Sequence, residues 1–243
     1  MNSSLERSLD YYYGDAERDA ALDAFYRQFV RPGDLVFDIG AHVGDHIGCF
    51  RRLGARVVAL EPQPLCGHAL RTLYGDDPDV VLVPAACGGS SEASVTFYVN
   101  SDNPTVSTVS RDFVAAADGA GGWEGQVWDS EIQVPVVTFD ELIREHGTPA
   151  FTKVDVEGFE ESVLAGLSVP VPALSFEFTT IERAVAARAL ERASALGFEA
   201  FNVSLGGNLA LEFAQWVPAP GLASYLAGLP HDANSGDVYC RPA

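Results

Sequence analysis

Short apolar runs rich in β-branched residues alternate with segments of helical periodicity along most of this chain, and that alternation admits few architectures. Runs at 35–39, 57–60, 80–83, 151–156, 173–178 and 198–203 read as strands, with 237–240 as a candidate edge strand. Segments 44–53, 64–74, 139–145, 160–167 and 181–196 read as helices between them. Parallel strands joined by crossover helices are covered on both faces, so their sequences are continuously apolar rather than alternating. The pattern predicts an α/β fold with a largely parallel sheet. In the last helix Ile181, Val185, Leu190 and Leu196 fall near one face, and Gly197 supplies a C-terminal stop.

Two stretches depart from the alternation. Segment 88–135 carries two extended pieces, SEASVTFYV and EIQVPVV, around the Gly-rich AAADGAGGWEGQ. It is expected to be an inserted hairpin or loop that brings substrate contacts over the sheet. Segment 1–30 is expected to be a helical extension, lying over the site mouth or in a homodimer contact. With 243 residues and 47% hydrophobic content, the chain has apolar material for one sizeable core, and a single domain spanning 1–243 is expected.

Charge narrows the partners. Fifteen Lys plus Arg against 34 Asp plus Glu give a net charge of -19, which repels nucleic acid and anionic lipid surfaces. The first thirty residues lack the apolar core of a signal peptide, and no run reaches the roughly 18 apolar residues of a membrane span. A cytoplasmic protein with a small-molecule substrate is expected. Cys49, Cys66, Cys87 and Cys240 form no CxxC pair and are expected to be free and buried. Of the fifteen basic residues only Lys153 is a lysine, so a compact ammonium at that position is either required or a chance survivor.

The turn after the first strand, LVFDIGAHVGDHIG, resembles a nucleotide-binding turn but lacks the glycines that bring backbone against a pyrophosphate. His42 stands where the closest-approach glycine would be, and Asp45 where the third would be. Asp38 would repel a phosphate but attract an ammonium or sulfonium. Glu61 ends the second strand 21 residues past Gly40, the offset at which an acid holds the hydroxyls of an adenosine ribose. Together these features favour S-adenosylmethionine over NAD or ATP, with Asp38, Gly40, Ala41, His42, Gly44, Glu61 and Pro62 as its expected contacts. The competing structural reading makes Asp38 a helix cap and leaves Glu61 facing solvent. An NAD-dependent oxidoreductase would also need a Tyr-x-x-x-Lys pair, and Pro149 occupies that tyrosine position before Lys153.

DIGAHVG, ALEPQP, VPAACGGSSEASVTFYV, QVPVVTFDEL, FTKVDVEGFEESVLAG and LSFEF, in this order over about residues 34–178, resemble the FkbM family of S-adenosylmethionine-dependent methyltransferases. The resemblance implies a class I, Rossmann-like methyltransferase fold of seven strands with the last antiparallel, and commonly O-methylation of sugar or polyketide hydroxyls. His42 replaces a frequent Asn of the family, and Asp45-His46 replaces aromatic or polar residues.

FTKVDVEGFE places Phe151, Lys153 and Asp155 on one strand face, with Asp155 at the carboxyl end. Methyl transfer to a hydroxyl needs a proton acceptor, so Asp155 and Glu157 are the first candidate bases, with His46 as a pocket residue or auxiliary base. The alternative is a structural ion pair from Lys153 to Asp155 or Glu177. Asp155, Glu157 and Glu177 form a candidate oxygen site for a divalent cation such as Mg²⁺. His42 and His46, four apart, are a weaker zinc pair without a third ligand. Ala86, Cys87 and Ser107 are further expected cofactor contacts, and Trp123 and Trp128 a candidate aromatic wall. The combined reading is an O-methyltransferase acting on a small specialised metabolite in natural-product biosynthesis. N-methylation and a catalytically silent ligand-binding domain are its alternatives.

Overall fold

The computed structural model describes residues 3–90 and 94–242. In chain order it forms α1 Ser3–Tyr12, α2 Ala16–Tyr26, β1 Leu35–Ile39, α3 Asp45–Arg52, β2 Arg56–Leu60, α4 Pro64–Tyr74, β3 Val80–Val83, β4 Ala86–Cys87 and β5 Val95–Val99. Next come α5 Arg111–Ala117, β6 Ser130–Val134, β7 Val136–Val137, α6 Phe139–His146, β8 Phe151–Val154, α7 Glu160–Ala165 and β9 Leu174–Thr179. The chain continues through α8 Arg183–Leu196, β10 Ala200–Leu205, α9 Ala219–Gly228 and β11 Ser235–Arg241. Among the described residues no helix is long and apolar enough to cross a membrane.

Seven strands form one sheet in the order β10-β11-β9-β8-β1-β2-β3. All neighbours run parallel except β11, which is antiparallel to both β9 and β10. The strand expected at the edge is therefore interior, and β10 closes the sheet. The pattern misled because Asp237 introduces a charge that suits an edge, whereas here it lies at the sheet's carboxyl end. The strand expected over 151–156 stops at Val154, so Asp155 begins the loop. Helix α9 was not legible because its mostly small, apolar residues lack a polar face.

Two cores explain the continuous apolar runs. Phe37 and Ile39 of β1, with Val58, Val154 and Phe176, pack against α6, α7, α8 and α9. Val36, with Val57, Ala59, Phe151 and Tyr239, packs against α2, α3 and α4 through Phe25, Tyr26, Ile47, Phe50 and Leu70. Because side chains alternate across a strand, Asp38 must share the face of Val36, and Lys153 that of Phe151. Glu177, between Phe176 and Phe178, and Asp237, two before Tyr239, fall on this same face. Asp38 pairs in register with Lys153, and Glu177 with Asp237. The sheet thus carries a polar strip across β1, β8, β9 and β11 on the face covered by α2 and α3.

The inserted segment is an antiparallel hairpin of β5 and β6, enclosing a 3-10 turn at Pro104–Val106 and helix α5. β4 and β7 form a short parallel ladder beneath it. The expected N-terminal helix is two helices, broken at Gly14 in the left-handed region (φ +90°).

Candidate active site

A cleft opens at the carboxyl edge of β1, β2 and β8. Its floor is the β1–α3 turn. Gly40 has φ +90°, and a Cβ there would lie 1.7 Å from the Asp155 carbonyl oxygen, so only glycine lets β1 and the loop after β8 meet. Gly40 and Ala41 donate their N–H groups to the Leu60 carbonyl at 3.0 and 2.8 Å, which ties the turn to β2. His42 is a non-glycine residue with positive φ (47°), a strained conformation that its surroundings must impose. Its N–H donates to Glu61 Oε2 at 2.8 Å.

Glu61 also accepts from Gln63 N–H, through Oε1 at 2.7 Å. Burial nevertheless pushes its carboxyl up to about 8, against the pull of those two N–H donors. Each carboxylate oxygen has two acceptor directions, so one remains open on each for a ligand hydroxyl. Ser107 of the inserted segment accepts from Gln63 Nε2 at 3.2 Å and from Asn100 N–H at 3.1 Å, fixing the hairpin over this corner.

Gly40, Ala41, His42, His46, Glu61, Pro62, Ala86, Cys87, Ser107, Asp155 and Glu157 all line the cleft. Asp38, Gly44 and Glu177 are not among the lining residues. Asp38 is 1% exposed, beneath the floor, with Oδ2 unpartnered. Burial pushes it up to about 6, opposed by His46 and Lys153. Gly44 (φ +87°) instead packs against Leu70 and Tyr74, where a Cβ would clash at 2.7–2.8 Å. Glu177 likewise has a buried, unpartnered Oε2.

Lys153 is buried, and its Nζ donates to Asp155 Oδ2 at 2.6 Å. Burial opposes the ammonium, but Asp155, Asp237 and Asp38 together hold its pKa well above the usual lysine value. The same ammonium, overcoming burial, holds Asp155 below the usual carboxylate range. Glu157 has φ +55° and is 8% exposed. Burial, then Asp155 and Glu160, push its carboxyl well up. Its loop is clamped from both sides: Thr108 Oγ1 donates to the Glu157 carbonyl at 2.6 Å, and Glu160 Oε1 accepts from Val156 and Gly158 N–H at 3.2 Å each. Asp155, Glu157 and Glu177 each bring one carboxylate oxygen within 4.8 Å of the others.

Other residues were invisible to sequence reasoning because they come from the N-terminal helices and the 3-10 turn within the hairpin. Tyr12, Arg18, Pro104 and Thr105 line the cleft. Arg18 Nη2 donates to Asp45 Oδ2 at 2.7 Å, and Asp45 Oδ1 lies 3.3 Å from His46 Nδ1. Burial would raise Asp45, yet His46 and Arg18 hold it far below the usual range. The run DYYYGDAER carried the signal only as clustered aromatic and charged residues.

Two expectations are corrected. His42 precedes α3, so it does not share a helix face with His46; its ring meets Tyr12 while that of His46 meets Tyr26. Trp123 and Trp128 do not line the cleft but pack edge-on against Phe113, pinning the insertion. The four cysteines are free and buried.

The sequence profile of the Methyltransferase FkbM domain matches residues 38–191. The chain is 32% identical over 161 residues to 31-O-demethyl-FK506 methyltransferase FkbM of Streptomyces tacrolimicus, covering 57% of this chain and 61% of that protein. It is 27% identical over 154 residues to the hexuronic acid methyltransferase AglP of Haloferax volcanii, covering 63% and 57%. It thus spans about three-fifths of the length of these relatives. Solved structures similar to it include Aeropyrum pernix fibrillarin with natively bound S-adenosyl-L-methionine, at TM-score 0.48 and 12% identity over 91% of this chain and 73% of that one. A TehB-like S-adenosylmethionine-dependent methyltransferase of Corynebacterium glutamicum gives TM-score 0.47 and 13% identity over 98% and 94%. With the domain profile covering more than half of its length, the chain belongs to the FkbM family of S-adenosylmethionine-dependent methyltransferases.

Proposed function

We propose that the protein methylates a hydroxyl of a small specialised metabolite, a sugar or a polyketide, within natural-product biosynthesis in the cytoplasm. Glu61, with an open acceptor direction on each oxygen, fits the ribose of S-adenosylmethionine. The acidic lining of the cleft fits its ammonium and sulfonium, and no glycine-rich cradle invites a phosphate. When bound, the cofactor supplies an electrophilic methyl group. The names of the two relatives, one a 31-O-demethyl-FK506 methyltransferase and one a hexuronic acid methyltransferase, support the acceptor class.

The observation that carries hydroxyl chemistry is the contact of His46 Nδ1 with Asp45 Oδ1 in the cleft wall. An Nδ1–H held there leaves Nε2 as the acceptor for a hydroxyl proton. This shifts the weight from Asp155, whose charge is already committed to Lys153 and which is therefore a weak base. Asp155 instead orients the acceptor as a fixed anion, beside Glu157, whose carboxyl burial pushes well up. The ammonium of Lys153 on Asp155 competes with a divalent cation at the Asp155, Glu157 and Glu177 carboxylates, so the transfer we propose is independent of Mg²⁺.

Calorimetric titration with S-adenosylmethionine and with NAD tests the cofactor assignment; binding of NAD alone would overturn it. Radiolabelled methyl transfer to glucuronic acid, to glucose and to their 2-amino counterparts then separates hydroxyl from amine acceptors. His46→Gln is expected to lose transfer while keeping cofactor affinity, and a chelator is expected to change neither.

A further inference from the structure

The family match begins at residue 38, yet the cleft wall is completed by side chains that precede it. We propose that Arg18 is a positioning residue for methyl transfer, holding Asp45 so that His46 presents an unprotonated Nε2 to the acceptor. This rests on the assignment of His46 as the base.

The placement of Arg18 is built rather than incidental. Asp15 caps α2 by accepting from the N–H groups of Glu17 and Arg18 at 2.9 and 3.0 Å. Leu22, Phe25 and Tyr26, one to two turns further along the same side of α2, sink the helix into the sheet core. The helix is thereby fixed, and its first turn faces the cleft. The guanidinium then makes three contacts: Asp45 Oδ2 at 2.7 Å, the Tyr12 carbonyl at 3.3 Å, and the Tyr12 ring, whose centroid is 5.1 Å away. Asp45 is 8% exposed, so its two oxygens are shared out, one to Arg18 and one to His46.

The charge balance gives this geometry its purpose. His46 is faced by Asp45 on its own helix, by Asp38 of β1, by Asp155 after β8 and by Asp237 of β11, while Tyr26 and Phe50 cover its ring. Lys153 offsets part of the negative charge on the sheet side, most directly at Asp155. A carboxylate freed to rotate would release Nδ1, and a free imidazole prefers its proton on Nε2. Arg18 prevents that outcome by fixing the orientation of Asp45. Its failure leaves a direct mark, a protonated Nε2.

The test reads that nitrogen directly in the cofactor-free protein. With ¹⁵N-labelled histidine, the wild type is expected to show an unprotonated Nε2 resonance for His46, assigned by its loss in His46→Gln. At the same mildly alkaline pH, Arg18→Gln and Arg18→Ala are expected to lose that resonance, and Arg18→Lys to retain much of it through one charge-assisted bond. Affinity for S-adenosylmethionine should change by less than about threefold in all three. An unchanged Nε2 signal in Arg18→Gln overturns the proposal, as does a loss that Arg18→Lys fails to restore. Failure of the base assignment looks different: His46→Gln would keep full methyl transfer whatever the state of the ring.

Discussion

Replacing Gly40 by alanine tests whether the first turn is set by a close approach of two backbones. Two costs are separable. Alanine at φ +90° loses roughly 1–2 kcal/mol from the left-handed conformation alone. The added Cβ also meets the Asp155 carbonyl oxygen at 1.7 Å, far inside the 3.0 Å that real contacts respect, and neither partner is a flexible side chain. Hydrogen bonds from Gly40 N–H to Leu60 and from Asp155 N–H to Ile39, at 3.0 and 2.9 Å, resist the separation that would relieve it. Overpacking of this kind costs a further ~1–3 kcal/mol. Gly33 provides the control, because it has φ +87° with nothing within 4 Å, so Gly33→Ala carries only the first cost. For a chain of this size each kcal/mol lowers the melting temperature by roughly 2–4 °C. Gly40→Ala should therefore melt about 2–12 °C below Gly33→Ala in cofactor-free protein, followed by far-ultraviolet circular dichroism. It should also weaken S-adenosylmethionine binding, since the displaced atoms belong to the turn and to Asp155. Equal melting temperatures for the two variants would refute the close approach and, with it, the account of why this turn has its shape.

Four further outcomes follow from the site's electrostatics. Lys153→Met strands Asp38, Asp155 and Asp237 without their shared cation and should cost about 3–5 kcal/mol, seen as a large fall in denaturant midpoint; a loss below ~1 kcal/mol would show that the acids are solvated. Burial raises Glu61 to about 8, and ribose hydroxyls prefer its carboxylate, so S-adenosylmethionine affinity should rise as pH increases towards 8, with proton release measurable by calorimetry in buffers of different ionisation heat. Because its folded pKa lies above the unfolded one, the same group makes the cofactor-free protein lose stability as pH rises from about 4.5 to about 8, a trend that Glu61→Gln should flatten. Glu61→Gln keeps one acceptor oxygen where two N–H groups need partners, and should weaken cofactor binding by about 10- to 100-fold.

The sheet was legible because burial on both faces leaves little latitude in sequence, as in LVFDI, where all five residues are buried. Glu61 and Asp155 could be placed near the cleft from their positions at strand ends alone. Asp38 shows where that logic stops, since alternation put it on the right face without revealing that the turn covers it. The pairing of Asp155 was foreseen as the structural alternative, and the single lysine in the chain was its signal. Arg18 could not be found, because a helix of low amphipathicity tells nothing about which distant turn it will meet, and Tyr12 could not because a patterned helix face does not name its partner. Trp123 and Trp128 misled for a related reason: an aromatic residue in a Gly-rich loop suits a ligand wall as well as it suits a local clasp, and only the position of Phe113 decides.

The interior position of β11 has a consequence for how the molecule is made. It follows both of its neighbours, β9 and β10, in chain order, so the slot between them stays open until synthesis has passed residue 241. Until then β9 presents an unpaired edge, β10 has no partner in the sheet, and Asp237 is missing from the group that balances Lys153. The two sides of the sheet are joined by a late wedge, and a chain truncated before residue 235 would be a species prone to pairing with other chains rather than with itself.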